Sequence, residues 1–240
     1  MVISPVHEAA DKIKLAKHLV VITGAGFSVE SGIPDFRSSR RWWRRIDPVT
    51  VATVDALEYN YNLFHGFYST RVEHLKTVSP HPGHHILSKW EQDGRLQLIA
   101  TQNVDGLHQL AGNRRVQELH GSIRTFRCHQ CGHRGEQEIF LGKIQCSCGG
   151  NLRPNIILFG ESLPSDAWAI SAEAIRNADV VLVMGTSLQV APVNQLPFLT
   201  SSTLILINQE SIGLEHQFDI VIQDSVVKTL TAIERTMSFR

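Results

Sequence analysis

All four cysteines lie between positions 128 and 148, as "CHQC" (128–131) and "CSC" (146–148), separated by 14 residues. Two close pairs at this distance suit the knuckles of a tetrahedral four-thiolate zinc site built from Cys128, Cys131, Cys146 and Cys148. The competing reading is two disulfides, but neighbours so close in sequence bridge poorly. Four sulfurs leave no position open for water or substrate, so the metal would be structural. The second knuckle is tighter than the first, and its turn must differ.

A second constellation begins at "GAGFSVESGIPDFR" (24–37), directly after the apolar run "HLVVIT". It opens as a glycine-rich phosphate loop, yet Val29 stands where a dinucleotide fingerprint would place its third glycine. "TQNVDGLH" (101–108) follows another apolar run, so Gln102, Asn103 and Asp105 leave the carboxyl end of a strand, where doubly wound sheets bind ligands. The plainer reading is a polar turn capping the next helix. His120 in "ELHGS" (118–122) is either a structural histidine or an acid–base group titrating near neutral pH. "GTSL" (185–188) and "INQE" (207–210) end two later apolar runs, offering Thr186, Ser187 and Asn208 to a ribose or phosphate.

The elements that must position these groups are short apolar runs at 19–23, 96–101, 116–119, 155–159, 180–185, 204–208 and 220–223. Continuous apolar runs suit strands covered on both faces. Helical patterns at 54–77, 165–177 and 225–236 alternate with them, and a first helix opens near Ser4-Pro5. The alternation predicts an α/β fold, a doubly wound parallel sheet of Rossmann type. Two excursions interrupt it, a helical stretch and the cysteine-bearing insert. The expected division is a Rossmann-like domain of residues 1–36, 78–125 and 152–240, a cofactor loop with helices at 37–77, and a zinc module at 126–151.

The chain has 240 residues, with 23 Lys+Arg against 23 Asp+Glu, so no overall field draws it to nucleic acid or membrane. The segment "RSSRRWWRRI" (37–46) is locally basic, as a solvated loop or beside a phosphate-bearing ligand. No apolar run approaches a membrane span and no signal-peptide core is present, which predicts a cytoplasmic protein.

Taken in order, "GAGFSVESGIPDFR", "TQNVDGLH", "HGS", the paired cysteines, "RPNIILFGE" (153–161), "GTSL" and "INQE" resemble the sirtuin family of prokaryotic type, the NAD-dependent protein-lysine deacylases. The resemblance implies NAD as co-substrate and acylated-lysine proteins or peptides as partners. It places Gly24, Ala25 and Gly26 at the diphosphate, Ser28 among the cofactor-binding residues, and Ile33, Pro34, Asp35, Phe36 and Arg37 in a loop closing over the nicotinamide ribose. Gln102, Asn103 and Asp105 would hold ribose, water and nicotinamide carboxamide; Gly185, Thr186, Ser187, Asn208 and Val226 would hold the adenosine half. His120 would be the general base, with Asn103 beside it, and the products nicotinamide, free lysine and O-acyl-ADP-ribose. Ile157, Phe159, Gly160 and Glu161 would meet the substrate. Tyr68 and Arg71, one helical turn apart after Ala52, resemble the carboxylate clamp of the desuccinylase/demalonylase subclass, although that subclass carries Thr where this chain has Asp35. Two other readings use the same crevice: a mono-ADP-ribosyltransferase and a non-catalytic NAD sensor.

Overall fold

Leu19–Thr23 forms the strand its run predicts, and its residues divide between two cores: Leu19 and Val21 face one, Val20 and Ile22 the other. That division is why the run has no polar alternation. The structure is a computed structural model describing residues 4–34 and 48–238. In chain order the helices are α1 (Pro5–Leu15), α2 (Pro48–Val51), α3 (Val54–Tyr59), α4 (Tyr61–His74), α5 (Pro82–Gln92), α6 (Leu107–Leu110), α7 (Gln137–Leu141), α8 (Ser165–Arg176) and α9 (Val226–Ser238). The strands are β1 (Leu19–Thr23), β2 (Leu96–Thr101), β3 (Val116–Glu118), β4 (Gly121–Cys128), β5 (Arg134–Gly135), β6 (Leu152–Ile156), β7 (Val180–Met184), β8 (Thr203–Asn208) and β9 (Ile220–Gln223).

Six strands form one parallel sheet in the order β3-β2-β1-β7-β8-β9. Counting only its own strands, this is the 3-2-1-4-5-6 order of a doubly wound dinucleotide fold. The chain reverses direction of travel between β1 and β7, and the crevice at a switch point of this kind lies beyond the strands' carboxyl ends. α1, α5 and α9 cover one face around the fully buried Trp90; α8 and the 3-10 segment Val193–Leu199 cover the other. α1 starts as expected, with Pro5 in its first turn and Ser4 Oγ accepting from the His7 amide at 3.4 Å.

Two expectations change. The pattern at 54–77 is not one helix: Asn60 leaves helical geometry at φ −143° and caps α4 through Oδ1, and a 3-10 turn spans Leu75–Thr77. The run "NIILF" does not join the parallel sheet. Its strand, β6, is Leu152–Ile156 and pairs antiparallel with β4 in a second sheet ordered β5-β4-β6. Beyond Ile156 the Ile157 amide still donates to the His120 carbonyl at 2.9 Å, carrying the same antiparallel register one pair past the strand.

A third core joins this small sheet to the helical excursion, with Phe64, Phe67, Tyr68, Phe126, Phe140 and Ile156 among its members. Tyr61 Oη donates to the Leu152 carbonyl (2.8 Å), and His65 Nε2 to that of Phe140 (2.7 Å). β4 runs across the boundary expected at 125/126, so the second sheet begins immediately after His120. Helical excursion and cysteine module thus share one core.

Candidate active site

The crevice is closed at its base by two turns in mutual contact. Gly24 donates its amide to the Met184 carbonyl and Gly26 to that of Gly185. A methyl group on Gly185 would come within 2.1 Å of the Phe27 nitrogen, and one on Gly24 within 2.6 Å of Thr186 Cβ. Gly185 also has φ +58°, a conformation costly for other residues. Gly24 and Gly26 were expected to bare the backbone toward a phosphate; together with Gly185 they also let the turns after β1 and β7 touch. The 3-10 segment Ala25–Ser31 then carries Ser28 inward and is tied to the start of α9, where Glu30 accepts from Ser225 Oγ (2.9 Å) and the Val227 amide (3.2 Å). Val226 is buried at that junction.

The turn after β2 supplies a connected polar network. Asn103 Nδ2 donates to Ser28 Oγ (3.0 Å), which donates to Asp105 Oδ2 (2.7 Å); Asp105 Oδ1 accepts the Leu107 amide (2.8 Å). Burial pushes the Asp105 carboxyl above its usual range, opposed by the Leu107 and Ser28 hydrogen bonds and by Arg124. Gln102 Nε2 reaches across to Thr186 Oγ1 (3.0 Å), joining the ends of β2 and β7. Asn208, at the end of β8, donates to the Glu210 carbonyl (2.8 Å).

His120 lies between β3 and β4, with Nδ1 3.1 Å from the Gln102 carbonyl. A carbonyl only accepts, so Nδ1 carries the proton and Nε2 keeps its lone pair. Burial pushes the imidazole pKa below its ordinary value, with the Gln102 contact opposing. The ring is therefore neutral at neutral pH and presents Nε2 as a base. Amides, hydroxyls, a carboxylate and close-approaching glycine turns at a switch point fit a dinucleotide, the donor set the motifs implied.

The four cysteine sulfurs lie within 4.8 Å of one another, with Cys128–Cys148 at 3.5 Å and Cys131–Cys146 at 3.7 Å. A tetrahedral zinc with Zn–S of ~2.3 Å separates its sulfurs by roughly 3.8 Å, so the spacing fits the metal and is far from a disulfide's ~2 Å. Each knuckle turns through a left-handed glycine directly after its second cysteine, Gly132 (φ +72°) and Gly149 (φ +83°). The tighter second knuckle thus ends on the same device as the first.

Residues 24–192 match the Sir2 family. The chain belongs to the Sir2 family. The NAD-dependent protein deacetylase 1 of Geobacillus kaustophilus (strain HTA426) is 49% identical over 212 residues, covering 86% of this chain and 88% of that protein. The NAD-dependent protein deacetylase of Oceanobacillus iheyensis is 40% identical over 222 residues, covering 90% and 94%. A solved Sir2 homolog–NAD complex superposes with a TM-score of 0.90 at 32% identity, over 97% of this chain and 94% of that one. A Sir2–p53 peptide–NAD complex gives 0.88 at 28%, over 97% and 98%.

Within this Sir2 fold Ile33 and Pro34 are described, whereas Asp35, Phe36 and Arg37, like the rest of the basic loop to Asp47, lie outside the described residues. Tyr68 and Arg71 share α4 as their spacing predicted. Tyr68 is buried against Phe64 and Phe67; burial raises its phenol pKa, and the charges of Arg71, Arg153 and Glu161 also act on it. The Arg71 guanidinium carbon sits 5.2 Å from the Phe67 ring centroid, and burial draws its pKa down against Tyr68 and Asp105. Phe159 is 45% exposed and Ile157 half-buried, with the Phe159 amide donating to the Ala52 carbonyl at 2.8 Å. Glu161, expected at the substrate, instead turns its carboxylate inward to Arg153, which is fully buried.

Sequence reasoning missed Arg153, which lies in β6 two residues before the apolar run expected at 155–159. It also missed the histidines behind the Sir2 site. His81 Nε2 donates to the Phe27 carbonyl (2.6 Å) while its Nδ1 accepts from the Gly83 amide (3.0 Å). His84 lies 4.0 Å from His81 and 4.9 Å from His108, ring to ring, and His108 Nε2 is 3.0 Å from Thr23 Oγ1. Thr23 Oγ1 bonds Thr101 Oγ1, which accepts the Asn103 amide, so the cluster backs onto the polar network. Burial lowers the pKa of all three, that of His108 to about 3. A histidine depressed in the fold takes up its proton on unfolding, so stability falls as pH drops below the ordinary value near 6.5. His108 alone should cost about 1.4 kcal/mol by about pH 5.5. Urea midpoints at about pH 7.5 and about pH 5.5 are expected to diverge in the native chain and to diverge less in His108→Gln; equal pH dependence in both would refute the assignment.

Proposed function

We propose that this chain removes acyl groups from protein lysines at the expense of NAD, as a deacetylase that also accepts succinyl- and malonyl-lysine. The observation that carries the reading is His120, neutral and held by the Gln102 carbonyl so that Nε2 is a free base at the switch-point crevice. NAD, consumed as co-substrate, would supply a ribose whose anomeric carbon takes the acyl oxygen as nicotinamide leaves, and water would then release the lysine amine with the acyl group left on the ribose.

The chain's residues then have distinct tasks. His120 Nε2 takes the proton of a ribose hydroxyl as that oxygen attacks the acyl carbon. Asn103, fixed through Ser28 to Asp105, orders the ribose and nearby water, and Asp105 receives the nicotinamide amide N–H. The turn at Gly24–Gly26 meets the diphosphate, and Ser28 holds Asn103 and Asp105 together behind it. Gly185, Thr186, Ser187, Asn208 and Val226 hold the adenosine half. The segment after β6 pairs with the substrate backbone as an added strand, and Ile157 and Phe159 flank the lysine methylenes. Cys128, Cys131, Cys146 and Cys148 hold a structural zinc that keeps the small sheet folded and takes no part in the chemistry.

The wider acyl range rests on Tyr68 and Arg71 on one face of α4, where a phenol and a guanidinium fork suit a carboxylate. With acetyl- and succinyl-lysine versions of one peptide, Arg71→Met is expected to lower succinyl turnover roughly 10- to 100-fold. Acetyl turnover should stay within about threefold, since that acyl group carries no charge for Arg71 to meet. Equal loss on both peptides would return Tyr68 and Arg71 to a plain packing role. Mono-ADP-ribosyltransfer is the outcome to be seen if neither peptide turns over and ADP-ribose appears on protein.

A further inference from the structure

The segment between β6 and α8 is shaped by an ion pair whose arginine is fully buried and whose carboxylate is half-buried. Arg153 donates Nη1 to Glu161 Oε1 (2.5 Å) and Nη2 to Glu161 Oε2 (2.8 Å), a fork-to-fork contact. The same Nη2 meets the Ile156 carbonyl (2.6 Å), and Nε the Pro154 carbonyl (3.3 Å). Glu161 Oε2 also accepts the Leu158 amide (2.8 Å), and the Glu161 amide returns to the Leu158 carbonyl (2.9 Å). Arg127 stands 3.7 Å from Oε1. One guanidinium therefore grips both ends of residues 156–161.

The pair is built to be charged. Burial opposes the Glu161 carboxylate, yet the Arg153 and Leu158 hydrogen bonds outweigh it and hold its pKa below the usual range. With both oxygens committed to protein donors, Glu161 has little left for a peptide. The gripped segment is nevertheless the one that touches the site: the Ile157 amide donates to the His120 carbonyl, and Phe159 bridges to Thr53 in parallel.

We propose that Arg153 and Glu161 are positioning residues, a clasp that fixes the acyl-lysine-binding segment relative to His120. This rests on the deacylase reading above. The clasp acts on peptide and not on NAD, because its hydrogen bonds shape residues 156–161 and none reaches the turns after β1, β2 or β7.

The test uses the full chain with NAD and an acetyl-lysine peptide. Turnover by the native protein stands as the check on the deacylase reading itself. Arg153→Lys keeps the charge but loses the fork, and the double variant Arg153→Met with Glu161→Gln removes both charges together, so that neither is left buried without its partner. Both are expected to raise KM for the peptide about tenfold or more while KM for NAD stays within about twofold. In the native protein, hydrogen exchange should find the Leu158 and Ile157 amides protected before peptide is added. An unchanged peptide KM in the double variant would overturn the clasp, as would equal rises in both KM values. Rapid exchange at Ile157 and Leu158 would do the same. A double variant that does not fold would assign the pair to folding and remove its positioning role.

Discussion

His120→Ala is expected to lower deacylation by roughly 10²- to 10⁴-fold, the range a lost general base commands. The loss should appear in kcat, with NAD affinity nearly unchanged, because the ring is held by the Gln102 carbonyl and not by the turns at Gly24 or Gly185. The pH profile supplies an independent reading of the same group. Nε2 acts only while unprotonated, and burial has lowered its pKa, so kcat/KM of the native enzyme should hold through neutrality and fall on an acid limb below about 6.5. His120→Ala should remove that limb along with the rate. Stopped assays quantifying nicotinamide and free-lysine peptide across pH would decide it. Retention of more than about a tenth of the activity by His120→Ala would mean that another group takes the proton.

The parts of this site legible in the sequence are those carried by local grammar. Apolar runs ending in polar turns put Gln102, Asn103, Asp105 and Thr186 at carboxyl ends of parallel strands, since a strand covered on both faces has to be apolar throughout its length. The cysteine spacing carried the thiolate cluster in the same way, and the three-residue step from Tyr68 to Arg71 needed only a helix to bring them onto one face. What escaped is long-range. "NIILF" has the composition of a parallel strand, but whether such a run joins the main sheet depends on what pairs with it, and β4 captured Leu152–Ile156 instead. Glu161 was placed at the substrate by resemblance alone, because nothing in its neighbourhood shows that an arginine eight positions earlier is fully buried and aimed at it. The histidines at 81 and 84 are far in sequence from His108 and meet it only where α5 and α6 close around Phe27.

Cys128→Ala is expected to have the largest effect on stability. Cys128 is the last residue of β4 and wholly buried, its amide bonds the His133 carbonyl, and its carbonyl accepts from Gly132. Binding of structural zinc contributes on the order of 10 kcal/mol to the fold of a small module, so losing one thiolate of four should cost at least about 3 kcal/mol. For a chain of this size that corresponds to a fall in Tm of roughly 6–12 °C. The damage should not stay inside residues 128–151. β4 begins beside His120 and β6 leads into the gripped segment, so loosening the knuckles should raise the peptide KM more than the NAD KM. Elemental analysis is expected to find about one zinc per native chain and almost none in Cys128→Ala, with protease cutting first between the knuckles. The rival chemistry has its own signature: two disulfides would leave the native chain metal-free and about 4 Da lighter than its reduced form, and Sγ distances of 3.5 and 3.7 Å argue for the metal.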